Sequence, residues 1–360
     1  MADTDFVLAP PTVTVGFSLE TVQNNLNTLM LLNQVKTRSG FGDWVERTYA
    51  QLSPERLLLN AIVLDVFWKG CEIEGFVGDF PSYIDQLARK DPEVLRQKAL
   101  SHLKDKLKAE DTNVLLVDKD TYLTWLQDTV AKHWSEKGEE FPLHVFEAAF
   151  PLFQNATEMQ NMIVEHLRYM WEEHLRPEWT RVLPMLQESI DAFQQVDFGG
   201  QTALQAARVV TGRNLQGIWD ELDTAEKVTF VPSAHIGPYV SLFMRDRDLY
   251  VMFGARVPEG MKSRSAALSR SELLVRLNAL ADDTRLTILE LLTERDELCA
   301  QDIITMLNLS QSSASRHLRQ LTATGYLVER RRDVAKCYSL NPERINDTIR
   351  ALRYFLRGRA

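Results

Sequence analysis

The segment LNLSQSSASRHLRQLTATGYL, residues 307–327, constrains the fold of this 360-residue chain more than any other stretch. If a helix begins near Gln311, the apolar residues Ala314, Leu318 and Leu321 fall on one of its faces. A second face then carries polar and charged side chains, namely Gln311, Ser312, Ser315, Arg316 and Arg319. Gly325 follows as a helix stop. The pattern predicts a helix that packs through one side and leaves the other side open.

The residues after this helix predict a β-hairpin. The stretch YLVERRRDVAKCYSL, residues 326–340, reads as a strand, a turn around Asp333 and a second strand. Four cations gather at its tip, Arg330, Arg331, Arg332 and Lys336. Glu329 and Asp333 are too few to neutralise them locally. We therefore expect these cations to reach phosphate groups or a minor groove.

Charge is distributed unevenly along the chain, whose formal net charge is −9. Residues 1–268 hold 26 basic and 38 acidic side chains, whereas residues 269–360 hold 15 and 12. From residue 310 to the end there are 11 basic and 4 acidic side chains. A local cationic surplus of this kind is attracted to a phosphate backbone, so the net charge conceals a basic terminal domain.

Four more helices are predicted around the two-faced helix, over residues 269–281, 282–293, 299–307 and 342–356. Ser269 and Glu272 have the spacing of a capping box, and Asp282 is the expected N-cap of the second helix. The last helix carries an apolar stripe that is expected to face a partner, made of Ile345, Ile349, Leu352 and Leu356.

Two stretches in this region, ALADDTRLTILELL at 279–292 and LSQSSASRHLRQL at 309–321, resemble the winged helix-turn-helix domain of the ArsR family of bacterial transcriptional regulators. The resemblance covers roughly the last 90 residues. It implies a homodimer formed through the first and last helices of the domain. Two recognition helices would then enter successive major grooves of an inverted repeat in double-stranded DNA, about 34 to 36 Å apart.

The resemblance also implies which residues contact DNA. Six positions match those that touch DNA in the family: Ser310, Gln311, Ser312, Ser313, Ser315 and His317. Short hydroxyl and amide side chains let a helix approach base edges closely, and the positive end of its dipole faces the anion. We expect three residues near the sugar-phosphate backbones that border the groove: Arg316, His317 and Arg319.

Metal-sensing members of the family begin the third helix with a Cys-x-Cys pattern. The matching stretch here has a single thiol, Cys299, which is too few for a three-thiolate site. The last helix contains no histidine for the other common family site. We therefore expect neither a metal nor another cofactor.

The first part of the chain predicts a mainly α fold. Residues 18 to about 222 read as amphipathic helices, with start signals at Ser53-Pro54-Glu55 and Asp91-Pro92-Glu93. Around Lys227 the spacing of the apolar residues changes. A small antiparallel sheet with a turn near residues 246–248 is predicted from the stretches KVTFVPS, YVSLFMRD and RDLYVMFGARV. We divide the chain into a multi-helical domain over 1–257 with its sheet at 227–257, a linker over 258–269, and the winged helix-turn-helix domain over 270–360.

The N-terminal domain is the expected sensor of a small-molecule effector. All seven tryptophans precede residue 220, which concentrates aromatic surface where a binding site would be built, although the same residues could simply fill a core. Asp65, in an otherwise apolar helix, could pair with Asn60 or point at a ligand. His166 and Glu173 share a helical face and could form a site, or could be ordinary surface charge.

Several classes of protein are excluded. The acidic start MADTDFVLAPP does not resemble a secretory signal, and no apolar run is long enough to cross a membrane. The three cysteines Cys71, Cys299 and Cys337 lie far apart and suit a reducing compartment better than a disulfide framework. We therefore expect a cytoplasmic protein with no membrane partner.

These observations predict a dimeric DNA-binding repressor that responds to an effector. One alternative is an enzyme in the N-terminal domain with an autoregulatory DNA-binding tail. The motifs GxSxG, GxxxxGK[ST], HExxH and GxGxxG are absent, which disfavours this interpretation. The other alternative is a constitutive regulator without an effector.

Overall fold

A computed structural model describes most of the chain, and helices dominate it as predicted. The described residues are 13–72, 75, 77–107, 118–131, 141–213, 215–216, 218–245, 248–258, 261, 266–332 and 335–357. Residues 246–247 of the expected turn, the tip of the hairpin at 333–334 and half of the expected linker, residues 259–260 and 262–265, lie outside the described residues. Within the described part, no helix is long and apolar enough to cross a membrane.

The first part of the chain is built from helices in the order in which the sequence places them. Their bounds are α1 Thr21–Leu32, α2 Asp43–Gln51, α3 Pro54–Ala61, α4 Phe80–Arg89, α5 Pro92–Leu107, α6 Lys119–Trp125, α7 Leu143–Gln154, α8 Ala156–Met170, α9 Arg176–Phe193, α10 Ala203–Thr211 and α11 Asp220–Asp223. Turns of π-helix follow α3, α6 and α8, over Ile62–Val66, Leu126–Ala131 and Trp171–Leu175.

Both start signals identified in the sequence are confirmed. The Ser53 side chain accepts a hydrogen bond from the Arg56 N–H, and Pro54 occupies the first turn of α3. The Asp91 carboxylate accepts a hydrogen bond from the Glu93 N–H at 2.9 Å, where α5 begins.

The predicted antiparallel sheet is corrected to a mixed sheet. Its strands are β1 Thr14–Phe17, β2 Lys227–Ser233, β3 Val240–Arg245 and β4 Asp248–Gly254, in the order β1-β2-β4-β3. β2 runs parallel to β1 and to β4, and only β3 is antiparallel to its neighbour. β1 was not predicted, and the parallel pairing of β2 with β4 joins strands that are separated in sequence by β3.

The burial of β2 explains its central place. Val228 and Phe230 face one hydrophobic cluster, which includes Phe193 of α9 and the buried face of α10. Val231, on the other face, joins the large cluster formed by the helices α1 to α8. A strand covered on both faces is typical of parallel pairing, and this pairing makes the sheet the layer between two cores.

The last part of the chain forms the predicted helix-turn-helix and hairpin. Its elements are α12 Ala266–Leu280, α13 Asp283–Leu291, β5 Leu298–Cys299, α14 Ala300–Leu307, α15 Gln311–Ala323, β6 Leu327–Arg332, β7 Ala335–Leu340 and α16 Pro342–Arg357. Asp282 caps α13 as expected, by accepting from the Arg285 N–H at 2.9 Å. The first helix begins at Ala266, so Ser269 lies inside it and is not its cap.

α15 contacts the N-terminal part of the chain. Ala323 is buried in the large helical cluster of the first part. The Ser39 hydroxyl donates to the Gln320 side chain, and the Tyr239 hydroxyl donates to the Ser39 carbonyl at 2.8 Å. The C-terminal half of α15, the predicted recognition helix (called the reading helix below), is therefore docked on the N-terminal part of the chain.

Two of the three cysteines form a disulfide, which corrects the expectation that the chain lacks one. Cys299 of β5 and Cys337 of β7 occupy paired positions in a three-stranded sheet, with their Cα atoms 3.8 Å apart. Their 38-residue separation conceals this pairing, which exists only once β5 joins the hairpin. Cys71 is buried and free, and burial raises the pKa of its thiol to about 12.

A buried polar cluster lies inside the helical core. Asn60 donates to the Leu29 carbonyl at 2.9 Å and to the Asn33 side chain at 2.7 Å. Its side-chain oxygen lies 3.2 Å from Nε2 of His166, so that nitrogen carries the proton of a neutral ring. Burial lowers the pKa of His166 to about 3. His166 is a core residue, whereas Glu173 is exposed, and the two do not form a shared site.

The disulfide predicts a thiol count. Protein prepared without reductant should show one thiol per chain in concentrated guanidinium chloride, from Cys71, and three after reduction. The double variant Cys299→Ser, Cys337→Ser should lose about 3 to 4 kcal/mol of unfolding free energy, because the cross-link no longer restricts the unfolded chain. Three thiols before reduction would contradict the pairing, and Cys71→Ser, which removes the free thiol alone, is the control.

Because His166 is buried with a lowered pKa, the protein should lose stability in acid. The pKa of this side chain is about 3 in the folded chain, against 6.5 for a histidine in water, so the unfolded chain binds the extra proton between these values. Unfolding free energy should therefore fall as pH drops through this window, by up to about 1.4 kcal/mol per pH unit from this group. His166→Gln, which can still donate to Asn60, should have a shallower slope in denaturant titrations at several pH values. Equal slopes would contradict the assignment.

Candidate nucleic-acid interface

The helix α15 has the two faces that its sequence predicts. Ala314, Leu318 and Leu321 are buried, the last two in the core of the C-terminal domain. On the other side, Gln311, Ser312 and Arg316 are exposed, and Ser313, Ser315 and Arg319 are partly exposed. The exposed set lies toward the N-terminal end of the helix, where the positive end of the helix dipole also lies.

The turn before α15 aims this end outward. Asn308 ends α14 in the left-handed conformation, with φ of 50°, which asparagine tolerates better than most residues. Ser310 then caps α15 by accepting from the Ser313 N–H at 3.2 Å, and its hydroxyl lies 3.2 Å from that of Ser312. Ser310 is itself exposed, so this group of hydroxyls stands at the open end of the helix.

The structure places His317 away from the exposed set. The side chain is buried, and its Nδ1 lies 3.5 Å from a carboxylate oxygen of Asp282, the residue that caps α13. Burial lowers the pKa of His317, while Asp282 acts in the opposite direction and Arg316 and Arg285 add to the lowering. His317 therefore connects α15 to the start of α13 in this structure.

Arg319 also differs from its neighbours. Its guanidinium Nη1 lies 3.5 Å from the Thr37 carbonyl, on the loop that also carries Ser39. Gln320, one residue further along, is buried against that loop. The N-terminal domain thus covers the C-terminal half of α15 and leaves the half with Gln311, Ser312 and Arg316 open.

The hairpin carries its cations as predicted, but two of them have acidic neighbours. Arg330 forms a two-pronged pair with Glu297, which precedes β5, and Lys336 lies 2.9 Å from Glu329. The expectation that Glu329 and Asp333 are too few to neutralise the four cations did not take account of Glu297, which is distant in sequence. Arg332 is exposed on β6, and Arg331 lies on the same strand with its side chain outside the description.

One buried polar pair in the N-terminal domain lies beside a small cavity. Glu178 and His235 form a buried pair at 3.1 Å, and Trp44 lies against the His235 ring at a centroid distance of 5.4 Å. The cavity beside them is about 10 Å³, which holds no more than about one water molecule. Trp44 and Trp171 are buried in the helical core, so for these two the core-filling interpretation is confirmed.

Within the described residues, no three side chains of His, Cys, Asp or Glu gather in a way that could hold a metal ion. Cys299, the thiol considered as a possible metal ligand, is bonded to Cys337.

The C-terminal part of the chain is similar to known bacterial regulatory proteins. Residues 282–328 match the family described as bacterial regulatory protein, arsR family. The arsenical resistance operon repressor of Escherichia coli (strain K12) is 46 % identical over 63 residues, which are 18 % of this chain and 54 % of that protein. The cadmium resistance transcriptional regulatory protein CadC homolog of Staphylococcus aureus is 35 % identical over 71 residues, 20 % of this chain and 59 % of that protein.

Another relative is matched over most of its length. The arsenical resistance operon repressor of Staphylococcus aureus is 34 % identical over 85 residues, which are 24 % of this chain and 81 % of that protein. The alignment with the Escherichia coli repressor spans only about half of that relative, and all these matches leave most of this chain unmatched. Through its C-terminal residues, the chain belongs to the arsR family of bacterial regulatory proteins.

Proposed function

We propose that this protein is a homodimeric transcriptional repressor that binds an inverted repeat in double-stranded DNA, and that its N-terminal domain senses a small-molecule effector. The observation that carries the proposal is the open N-terminal half of α15, where hydroxyl, amide and guanidinium groups stand beside a cationic hairpin. Repression is suggested by the names of relatives from two species, which are repressors of arsenical resistance operons.

The open half of α15 has the chemistry of a helix that enters a major groove. Gln311 can pair with base edges through its amide, and the serine hydroxyls are short enough to let the backbone approach. Arg316, one turn further along, would contact phosphate. The buried faces of α15 and its contact with Asp282 hold these side chains in a fixed orientation.

The hairpin would supply the second contact. Arg332 is exposed, and Arg330, although paired with Glu297, is 66 % exposed in its side chain. The pair with Glu297 uses two of the five N–H donors of the guanidinium group, so the remaining donors of this exposed side chain can contact a phosphate group. The proposed DNA contacts therefore remain Ser310 to Ser313, Ser315 and Arg316 on α15, and the cations of β6 and β7.

A dimer surface is suggested by α16. Ile349 and Leu356 are 45 % and 67 % exposed within a single chain, although they belong to an apolar stripe. α16 packs on α12, so the two helices present one continuous surface. Burying this stripe against a second copy would remove apolar area from water and set the distance between two reading helices.

The interdomain contacts suggest how an effector would act. The loop with Thr37 and Ser39 touches α15 directly, and Ala323 at the end of α15 is part of the N-terminal core. A ligand that shifts the N-terminal domain would therefore shift the reading helix. A change of a few kcal/mol in the preferred arrangement is enough to alter DNA occupancy strongly.

If α15 binds DNA as proposed, the variant Arg316→Ala should have a lower affinity for DNA. Duplexes selected from a random pool, together with the DNA upstream of the gene, should yield an inverted repeat. Arg316→Ala should weaken binding to it about 10-fold and reduce the salt slope by about 1, because one phosphate contact is lost. Arg208→Ala, which removes an exposed arginine from α10, is the matched control. Equal affinities of the wild type and both variants for this DNA would refute the proposal that the exposed face of α15 contacts DNA.

The dimer surface predicts that Ile349→Glu produces a monomer. Ile349 is exposed in the single chain, so the change should leave folding intact while placing a charge in the apolar contact. Sedimentation should show a dimer for the wild type and for Val209→Glu, a control change at an apolar residue exposed to 40 % on α10. A wild-type monomer, or a dimeric Ile349→Glu, would rule out this surface.

A further inference from the structure

The loop between α1 and α2, residues 33–42, extends from the N-terminal domain to the reading helix. The Thr37 carbonyl of this α1–α2 loop lies 3.5 Å from Nη1 of Arg319. Arg319 follows Ser315 and Arg316 by four and three positions, so the three residues share one face of α15. The tip of the loop therefore lies beside the proposed DNA interface, toward the C-terminal end of α15.

The α1–α2 loop is basic, although the domain that contains it is acidic. Residues 1–268 carry 12 more acidic than basic side chains. The sequence over residues 21–42 has no acidic side chain and two basic ones, Lys36 and Arg38. Lys36 is exposed and directly precedes Thr37, whose carbonyl faces α15. The acidic domain thus places a positive charge at the edge of the reading helix.

The second cation of the loop lies close to an arginine of α15. Cζ of Arg38 is 5.4 Å from the centroid of the Tyr239 ring. Burial raises the pKa of Tyr239, whereas the charges of Arg38 and Arg319 act in the opposite direction. Both guanidinium groups have partners within the molecule, the ring for Arg38 and the Thr37 carbonyl for Arg319. They hold the loop against α15 and add positive charge around Lys36.

The loop is held at both of its ends. At its start, Asn60 in the helical core donates to the Asn33 side chain at 2.7 Å. At its end, the Gly42 N–H donates to the His235 carbonyl at 3.0 Å. The backbone that carries Lys36 therefore has a fixed position, and a contact made from an ordered loop loses less conformational entropy on binding.

In a major groove, this loop would face the phosphate groups. The N-terminal residues of a recognition helix contact the base edges, while the sugar-phosphate backbones border the groove on both sides. A cation beside the later turns of the helix is therefore closer to a backbone than to the bases. Lysine suits this contact, because its ammonium group binds phosphate as a point charge and does not require a fixed geometry.

We propose that the α1–α2 loop is part of the DNA interface, and that Lys36 binds a phosphate group of the DNA backbone beside the reading helix. This inference rests on the function proposed above. Both domains would then contact the same duplex. A shift of the N-terminal domain would move a DNA contact directly, in addition to moving α15.

Binding of the full chain to the selected inverted repeat and to an unrelated duplex, at several salt concentrations, tests the proposal. Lys36→Ala should weaken binding to both duplexes by the same factor, about 3- to 10-fold, and lower the salt slope by about 1, because a phosphate contact carries no sequence information. The contact between the loop and Arg319 uses the Thr37 carbonyl and should remain in this variant.

The matched control is Lys119→Ala, which removes an exposed lysine from α6 of the same domain and should bind as the wild type does. Unchanged affinity in Lys36→Ala would overturn the proposal. Tighter binding would also overturn it, because the loop would then obstruct the DNA.

Cross-linking distinguishes a direct contact from an indirect effect on α15. Cys71 is buried and the other two cysteines are paired, so Lys36→Cys provides one accessible thiol for a photoactivatable aryl azide. Illumination should attach position 36 to the DNA at the border of each half-site. The same label on Lys119→Cys should give no adduct. Absence of adducts at position 36, or equal adducts from both variants, would overturn the direct contact.

Arg316→Ala separates this proposal from the function on which it rests. If Arg316→Ala weakens DNA binding and Lys36→Ala does not, only the role of the loop is refuted. If Lys36→Ala alone weakens binding, the loop contact stands and the exposed face of α15 is refuted. A wild-type chain that binds neither duplex would refute both the repressor and the loop contact.

Discussion

The position of the C-terminal domain against the rest of the chain depends on α15, which is shared between two hydrophobic cores. Leu318 and Leu321 fill the core of the C-terminal domain, whereas Ala323 lies in the large core of the N-terminal domain. The helix therefore cannot move relative to one domain without disturbing the other, because packed cores resist deformation. The same arrangement leaves the first half of the helix, around Gln311 and Arg316, more accessible to a partner than the second half.

The loop between β2 and β3 connects this helix to the interior of the N-terminal domain. His235 contacts Glu178 and the Trp44 ring inside that domain, and Tyr239 donates to the Ser39 carbonyl beside α15. Gly237 has a φ of 63°, and a Cβ there would lie 2.0 Å from the Gly40 oxygen, so two loops meet backbone to backbone. Only glycine permits this approach, and through it the mixed sheet supports the surface on which α15 rests.

Charge adds a second constraint. The first 268 residues carry 12 more acidic than basic side chains, and the last 51 carry seven more basic than acidic ones. A polyanion would be repelled by one part of the molecule and attracted by the other. The cationic hairpin and the open end of α15 both belong to the basic part.

The sequence by itself determined the local elements and much of the candidate interface. The caps at Ser53, Asp91 and Asp282, the two faces of α15 and the hairpin depend on residues a few positions apart, where spacing and side-chain chemistry decide the conformation. Only the tertiary structure decided which residues meet across long separations. It paired β2 with two parallel neighbours, joined Cys299 to Cys337, buried His317 and set Glu297 beside Arg330. Such contacts depend on how whole elements pack, and no periodicity in the chain records that packing.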